Sequence, residues 1–400
     1  MWNNSRRPPV WLAALTLAAF AVQTDDFIII GVLPAIASDL DVSEAAAGQL
    51  VTIYSLVYAL TAPLWAFLLS RVPLRTALLG SLAVFSAANF AVPLAGSFPA
   101  LVALRVIAAL AAAVVLPCAL AAASTGAPSG RRGRYLATVM TGLTGAILVG
   151  VPAGTWIGAT LDWRATFVFG GLLGVAALVL VRALPGAVSD AQDEERSIGT
   201  LLRPMLNRAV AAILLITVLT VAGNLAFQTY ISVVLAGLAG VTPGLLAVLL
   251  VCSGIGGLLG TRASGRLVDR FGAVPAFLAA GMLFCAAMSA FALLWLARPV
   301  PVPFATVLLV LWSAAAWAVP PTLQALMLDR VGARTAAQAM AVHSSSVYVG
   351  AALGGTVGGA VTASGVGLVP LAAALSMALG LALSPLARST TTAREPSGDG

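Results

Sequence analysis

The sequence predicts an all-α membrane protein, and three observations carry that reading. Hydrophobic residues make up 60% of the 400 and charged residues only 9%, at a mean hydropathy of +1.03. The apolar residues come in long runs without period-two alternation, which favours helices over barrel strands of about ten alternating residues. The charges stand between these runs and not along them. A soluble domain carries roughly a quarter of its residues as charges, so a solvated shell cannot be built from this chain and soluble enzyme chemistry is not expected.

A span of the hydrocarbon core takes about 20 apolar residues. Scanning at that length gives twelve spans, at 11–37, 46–70, 74–95, 98–124, 135–160, 164–184, 209–236, 242–264, 273–297, 302–326, 335–363 and 365–387. In lipid every backbone polar group must be satisfied internally, so each span is expected to be a helix. The first run is too long for a signal-peptide core of about 7–15 residues and holds two aspartates, so no cleavable leader is expected.

Orientation follows from the arginines. All 21 basic residues are arginine, and with the N-terminus inside, eighteen fall in even-numbered connections or the tails. They include Arg71, Arg75, Arg131, Arg132, Arg134, Arg182, Arg208, Arg262, Arg266, Arg270 and Arg330. Arg164 and Arg298 lie outside and Arg105 lies within a span. Positive charge collects on the cytoplasmic side of membrane proteins, so both termini are expected to be cytoplasmic. The same scatter argues against nucleic-acid binding, which needs basic residues clustered on one wetted surface.

The longest polar stretch, 185–208, divides the chain into six-span halves at 1–184 and 209–387, and the Thr/Ser/Gly/Pro-rich end at 388–400 reads as a disordered tail. The halves share one local pattern after their second span. Gly265-Arg-Leu-Val-Asp269-Arg270-Phe-Gly272 in the second half answers Ala66-Phe-Leu-Leu-Ser-Arg71-Val-Pro73 in the first. Parallel half repeats of this kind are a transporter arrangement.

Few residues are left to carry chemistry. Asp25 and Asp26 are the only carboxylates inside a span, and a charge at the bilayer centre costs about 2.5–3.5 kcal/mol on insertion scales. A carboxylate kept there serves ion or proton handling, and Asp26 is the first candidate; the structural alternative is hydration near the outer interface. Adjacent helical residues point about 100° apart, so the two do not face one spot. Arg105 is the only intramembrane base and requires a partner. A direct pair with Asp26 is one arrangement, hydrogen bonds to polar groups of spans 1 and 2 another, and a purely structural role a third.

Span 5 carries Gly142, Gly145, Gly150, Pro152, Gly154 and Gly158. Small residues every three or four positions admit a close partner helix, and a proline removes one helix hydrogen bond. Tyr54, Tyr58, Asn224, Gln228, Tyr230, Gln324, His343 and Tyr348 are candidates to line a polar cavity, with Trp65, Trp312 and Trp317 as further aromatic surface. Packing is the competing reading for each, including His343, the only histidine. Cys118, Cys252 and Cys285 lie inside apolar runs without metal-ligand spacing. No cofactor and no metal are expected, and without any lysine a phosphate-cradling ATPase loop is excluded.

These residues resemble the major facilitator superfamily, specifically the twelve-span bacterial drug:proton antiporters of the arabinose-efflux-like and chloramphenicol-resistance-like branch. The likeness covers about residues 10–387. Thr24-Asp-Asp-Phe27 with Gly31-Val-Leu-Pro34-Ala-Ile-Ala-Ser-Asp-Leu40 is similar to the family's first-span signature and sets Asp26 on its acidic position. Arg105 falls on the arginine of the span-4 motif, and Gly145 to Gly158 resembles the antiporter motif, with Trp163-Arg-Ala-Thr-Phe167 as its outer loop. Asp269 and Arg270, with Gly265, match the cytoplasmic gate motif of the second half. The chain departs from the family at Ser70 and Pro73 in the first gate motif, at Ala112 and Ala113 after the span-4 arginine, and at Asn224, where many relatives have histidine.

The resemblance implies a major facilitator fold of two pseudo-symmetric six-helix bundles. It further implies a monomeric transporter of the bacterial inner membrane that exports small amphipathic molecules in exchange for protons by alternating access. Proton-coupled transport of a sugar or metabolite in the other direction, and a non-transporting receptor or scaffold on the same fold, are the alternatives. The implied partners are a small-molecule substrate, protons and the lipid bilayer.

Overall fold

A computed structural model describes residues 9–68, 72–128, 132–184, 207–331 and 336–387. Among them the architecture is helical throughout. The twelve helices are α1 (Val10–Asp39), α2 (Glu44–Leu68), α3 (Leu74–Ala91), α4 (Phe98–Thr125), α5a (Arg132–Gly145) with α5b (Val151–Thr160), and α6 (Trp163–Val181). They continue as α7a (Arg208–Thr229) with α7b (Ile231–Ala239), α8 (Pro243–Phe271), α9 (Ala273–Leu296), α10 (Val302–Leu328), α11 (Ala336–Ser364) and α12 (Val369–Ala382). Eleven spans are long and apolar enough to cross a membrane among the described residues; the 25-residue α2 takes the remaining place in the order. The positions 69–71, 185–206 and 388–400, which include Arg71, the linker up to residue 206 and the tail, lie outside the described residues, whereas Asn207 and Arg208, also expected in the linker, cap and open α7a.

Local chemistry explains where helices begin and stop. The Asp162 carboxylate accepts from the Arg164 N–H at 2.7 Å and Asn207 accepts from the Ala209 N–H at 2.9 Å, satisfying free donors at the starts of α6 and α7a. α8 ends on Gly272 at φ 87°, a left-handed conformation open to glycine without a Cβ penalty.

Three expectations are corrected. Trp163-Arg-Ala-Thr-Phe167 is not a loop but the first turn of α6, because Asp162 caps it. The span expected at 135–160 contains a π-turn, Ala146–Gly150, in which the Val151 N–H reaches back to the Ala146 carbonyl. Pro152, which has no N–H to donate, sits in the first turn after it. The span expected at 209–236 breaks at Tyr230 (φ −104°, ψ 17°) and resumes to Ala239.

Packing divides the helices into two sets of six. α1 packs on α4, α5 and α6, and α3 on α4 and α6; in the second set α8 packs on α10, α7a on α11 and α12, and α9 on α10 and α12. The sets meet where α2 runs along α11, where α5b and the π-turn lie against α8, and where α1 touches α7b. Leucines such as Leu60, Leu94, Leu161, Leu293 and Leu296 are exposed on the outside, a surface suited to lipid tails.

Candidate functional site: a paired and an unpaired carboxylate on α1

The centre of α1 carries Thr24, Asp25 and Asp26, all buried. Asp25, 0% exposed, accepts from Arg105 Nη1 at 2.8 Å, and Arg105 is itself 1% exposed. The same Nη1 lies 3.3 Å from the Asp25 carbonyl. The guanidinium carbon stands 4.3 Å from the Tyr54 ring centroid and 5.7 Å from that of Phe167. Asn89 of α3 lies beside the Asp25 carboxylate. A buried guanidinium is tolerable only with such partners.

Asp26 is 8% exposed and makes no hydrogen bond or ion pair among the described residues. The direct Asp26–Arg105 pair is therefore replaced by an Asp25–Arg105 pair. One helical step turns the side chain by about 100°, and it is Asp25 that faces the α4 arginine. Neither aspartate lies in a hydrated end of the helix. Asp26 falls within the electrostatic reach of Tyr58 on α2 and Tyr348 on α11, whose rings stack at 3.8 Å across the junction of the two sets.

α5 lies close along α1. A Cβ on Gly150 would collide with the Thr24 side chain, one on Gly154 with Ile28, one on Gly158 with Val32, and one on Gly142 with the backbone of Thr16. From the other side, a Cβ on Gly31 would strike Thr155. Gly145 differs, since its nearest neighbour, the Phe20 ring, stands 3.5 Å away. The glycines place α5 within backbone distance of the segment that holds the two aspartates.

The remaining sequence candidates separate. Tyr54 lies under Arg105. Tyr230 is fully buried, with its hydroxyl 3.3 Å from the carbonyls of both Ala45 on α2 and Gly355 on α11. Gln49 Nε2, which the sequence reading did not single out, donates to the same two carbonyls at 3.3 and 3.5 Å. Tyr230 is thus a clasp between helices of the two sets. Asn224 Nδ2 donates to Gln228 Oε1 at 3.0 Å. His343 is buried, its Nδ1 3.3 Å from Thr217 Oγ1, and Gln324 is half-buried on α10. Gly265, Asp269 and Arg270 are exposed at the end of α8, and neither charge makes an ion pair among the described residues. The three cysteines are free.

A cavity lies where the sets meet, between α1, α5, α7, α8 and α10. Gln228, Ser253, Trp312 and Trp317 line one wall, and Phe27 and Ile30 the other. Its free volume of about 30 Å³ is roughly that of one water, against roughly 300–1,000 Å³ for ligand pockets. Ser253 carried no signal in the sequence, as a lone serine in an apolar span is indistinguishable from packing.

Twelve apolar helices in two sets, with ionisable groups buried midway along a span, define a multi-pass membrane transporter fold. The family model for the Major Facilitator Superfamily matches residues 15–355, and the chain belongs to that superfamily, a family of transporters. It is 34% identical to the inner membrane transport protein YdhP of Escherichia coli (strain K12), over 93% of this chain and 94% of that protein. It is likewise 34% identical to a chloramphenicol resistance protein of Streptomyces lividans, over 86% and 87% of the two chains. Among solved structures it resembles a bacterial homolog of the human lysosomal transporter Spinster, in an inward-facing and unoccupied conformation, with TM-score 0.75 and 17% identity over 96% and 98% of the chains. The nucleoside transporter NupG matches with TM-score 0.77 and 13% identity over 94% and 100%. At these identities the structures speak to the fold.

Proposed function

We propose that this chain is a proton-coupled exporter of small amphipathic molecules in the bacterial inner membrane. The two bundles, 1–184 and 209–387, would rock about the cavity between them, joined by a cytoplasmic linker at 185–208. Both termini face the cytoplasm, on the side where eighteen arginines collect. The protein acts as a monomer. The resistance protein among its relatives supports outward transport of a drug-like molecule.

The observation that carries the proposal is the difference between the two adjacent aspartates. Asp25 is bound to Arg105 at 2.8 Å, so releasing its charge breaks a buried ion pair. Asp26 has no such partner and lies near the α2–α11 junction. Gain or loss of a proton there changes the charge at the meeting line of the bundles without dismantling the core. Protonation then biases one facing state and substrate the other, each by its differential affinity. The glycine face of α5 keeps a helix of the moving junction in register with Asp26, and the exposed Asp269 and Arg270 act at the cytoplasmic gate.

The test is proton-driven efflux in everted vesicles with and without an uncoupler. Asp26→Asn abolishes uncoupler-sensitive efflux while the protein remains expressed and folded. Undiminished efflux with its pH dependence intact in that variant overturns the role of Asp26.

A further inference from the structure

We propose that the second helix set holds an anionic phospholipid on its outer flank, with the headgroup phosphate on Arg298 and one acyl chain in a groove between α11 and α12. The site lies apart from the cavity between the sets. Only its assignment to the outer leaflet rests on the orientation proposed above.

One arginine stands at the outer end of each set, and both lie over a tryptophan. The guanidinium carbon of Arg164 is 4.3 Å from the Trp163 ring centroid, and that of Arg298 is 4.6 Å from the Trp295 centroid. Arg164 also holds the Asp39 carboxylate at 2.8 Å. Arg298 is exposed, and its side chain makes no ion pair or hydrogen bond among the described residues. The sequence explains the difference. Asp269 and Asp329 are the only acids between residues 209 and 387, and they stand at the opposite end of the set, in the last turn of α8 and just after α10. The second set therefore has no outer carboxylate to neutralise Arg298, and an anion from outside the set is the partner that fits it.

The surroundings of Arg298 make that anion a lipid headgroup. The Val300 N–H donates to the Leu238 carbonyl at 2.9 Å, which ties the connection carrying Arg298 to α7b. The Trp295 indole lies between Gly237 of α7b and Gly367 of the single turn (Val366–Leu368) that joins α11 to α12, where a Cβ on either glycine would collide with the ring. The next residue, Leu368, opens the groove, which continues along Val361, Ser364, Leu371 and Leu375. α12 packs chiefly on α7a and α9 and so leaves α11 open beside it. The groove has a free volume of about 440 Å³, within the roughly 300–1,000 Å³ of ligand pockets, and Leu368, Leu371 and Leu375 are exposed along it. Apolar groove, interfacial tryptophan and arginine thus follow one another in the order of acyl chain, glycerol and phosphate. The guanidinium fork offers paired N–H donors to phosphate oxygens. A zwitterionic headgroup would bring an ammonium that finds no carboxylate at this end, so a net negative headgroup is favoured.

Native mass spectrometry of the purified full chain, titrated in detergent micelles, tests this with two lipids that share dioleoyl chains: anionic phosphatidylglycerol and zwitterionic phosphatidylethanolamine. Phosphatidylglycerol is expected to bind the wild type more tightly. Arg298→Gln should weaken it about fivefold, the effect of one arginine near a lipid surface, and leave phosphatidylethanolamine unchanged. Arg164→Gln, whose arginine is already taken by Asp39, should leave both lipids unchanged. Ala372→Phe, which fills the groove, should weaken both. Melting temperature confirms that each variant is folded; should Ala372→Phe fail that check, the two arginine variants and the lipid comparison decide. Equal wild-type binding of the two lipids overturns the site, as does undiminished phosphatidylglycerol binding in folded Arg298→Gln or Ala372→Phe, or an equal loss in Arg164→Gln. Displacement of the lipid by millimolar inorganic phosphate would give the arginine to a free anion and overturn it too. Micelles have neither sides nor a gradient, so failure of the transport or orientation reading leaves this result untouched.

Discussion

The two six-helix sets solve the problem of burying polar groups differently. In the first set α1 and α4 bury three ionisable residues, Asp25, Asp26 and Arg105. In the second set the buried polar groups among the described residues are hydroxyls, amides and one imidazole, with Thr217, Gln228, Ser253, Ser313 and His343 among them. Charge inside a membrane is costly and usually functional, whereas neutral polar groups satisfy one another cheaply, as Asn224 does Gln228. The comparison separates two ways of burying polarity, with ionisable groups in the first bundle and neutral polar groups in the second. A fold built by repetition thus keeps its helices alike and lets the buried polar groups diverge.

Breaking the ion pair should produce the largest effect. Asp25→Leu leaves Arg105 uncompensated and is expected to cost about 3–5 kcal/mol, read as a lowered melting temperature in detergent. Adding Arg105→Met removes the second charge and recovers a large part of that loss; an additive double mutant would show that the pair is not the source. In the second set, by contrast, Asn224→Leu meets no charge and falls well below that cost.

A smaller effect is expected at the contact of α5 with α1. Gly150→Val drives side-chain atoms into Thr24 and should destabilise by about 1–3 kcal/mol, the range for overpacking, with transport reduced as α1 is displaced. Next comes the clasp between the sets. Tyr230→Phe removes the hydroxyl that lies 3.3 Å from Ala45 and Gly355, worth about 0.5–1.5 kcal/mol. Spin labels at exposed Ser43 and Ser364 should then report a larger share of molecules with the α2 and α11 ends apart. The smallest change is Gly145→Ala, where the nearest atom leaves 3.5 Å and stability should stay within about 0.5 kcal/mol. A collapse at Gly145 equal to that at Gly150 would show that the space beside Gly145 does not admit a methyl group, because alanine is the better helix former.

Much of the fold was legible along the chain. The twelve apolar runs needed only the thickness of a bilayer, and the spacing of Gly142, Gly150, Gly154 and Gly158 already marked one face of a closely packed helix. The candidate site was legible in part. Asp25, Asp26 and Arg105 stood out because so few charges lie inside spans, yet their pairing did not. Neighbouring residues differ by a rotation of about 100°, and no periodicity says which direction holds the arginine. Tyr230 read as a cavity residue and proved to be a clasp, because its partners Ala45 and Gly355 are remote in sequence and contribute only carbonyls.

What the sequence alone determined was the class of solvent, the number of crossings and the short roster of charges the membrane must accommodate. These follow from transfer free energies, which are properties of residues taken one at a time or in runs. What the tertiary structure decided was which aspartate holds the arginine, which glycines are touched, and where the two sets close on a cavity lined by Gln228, Ser253, Trp312 and Trp317. Those depend on the azimuth of each helix, which is set by packing against helices far away in the chain.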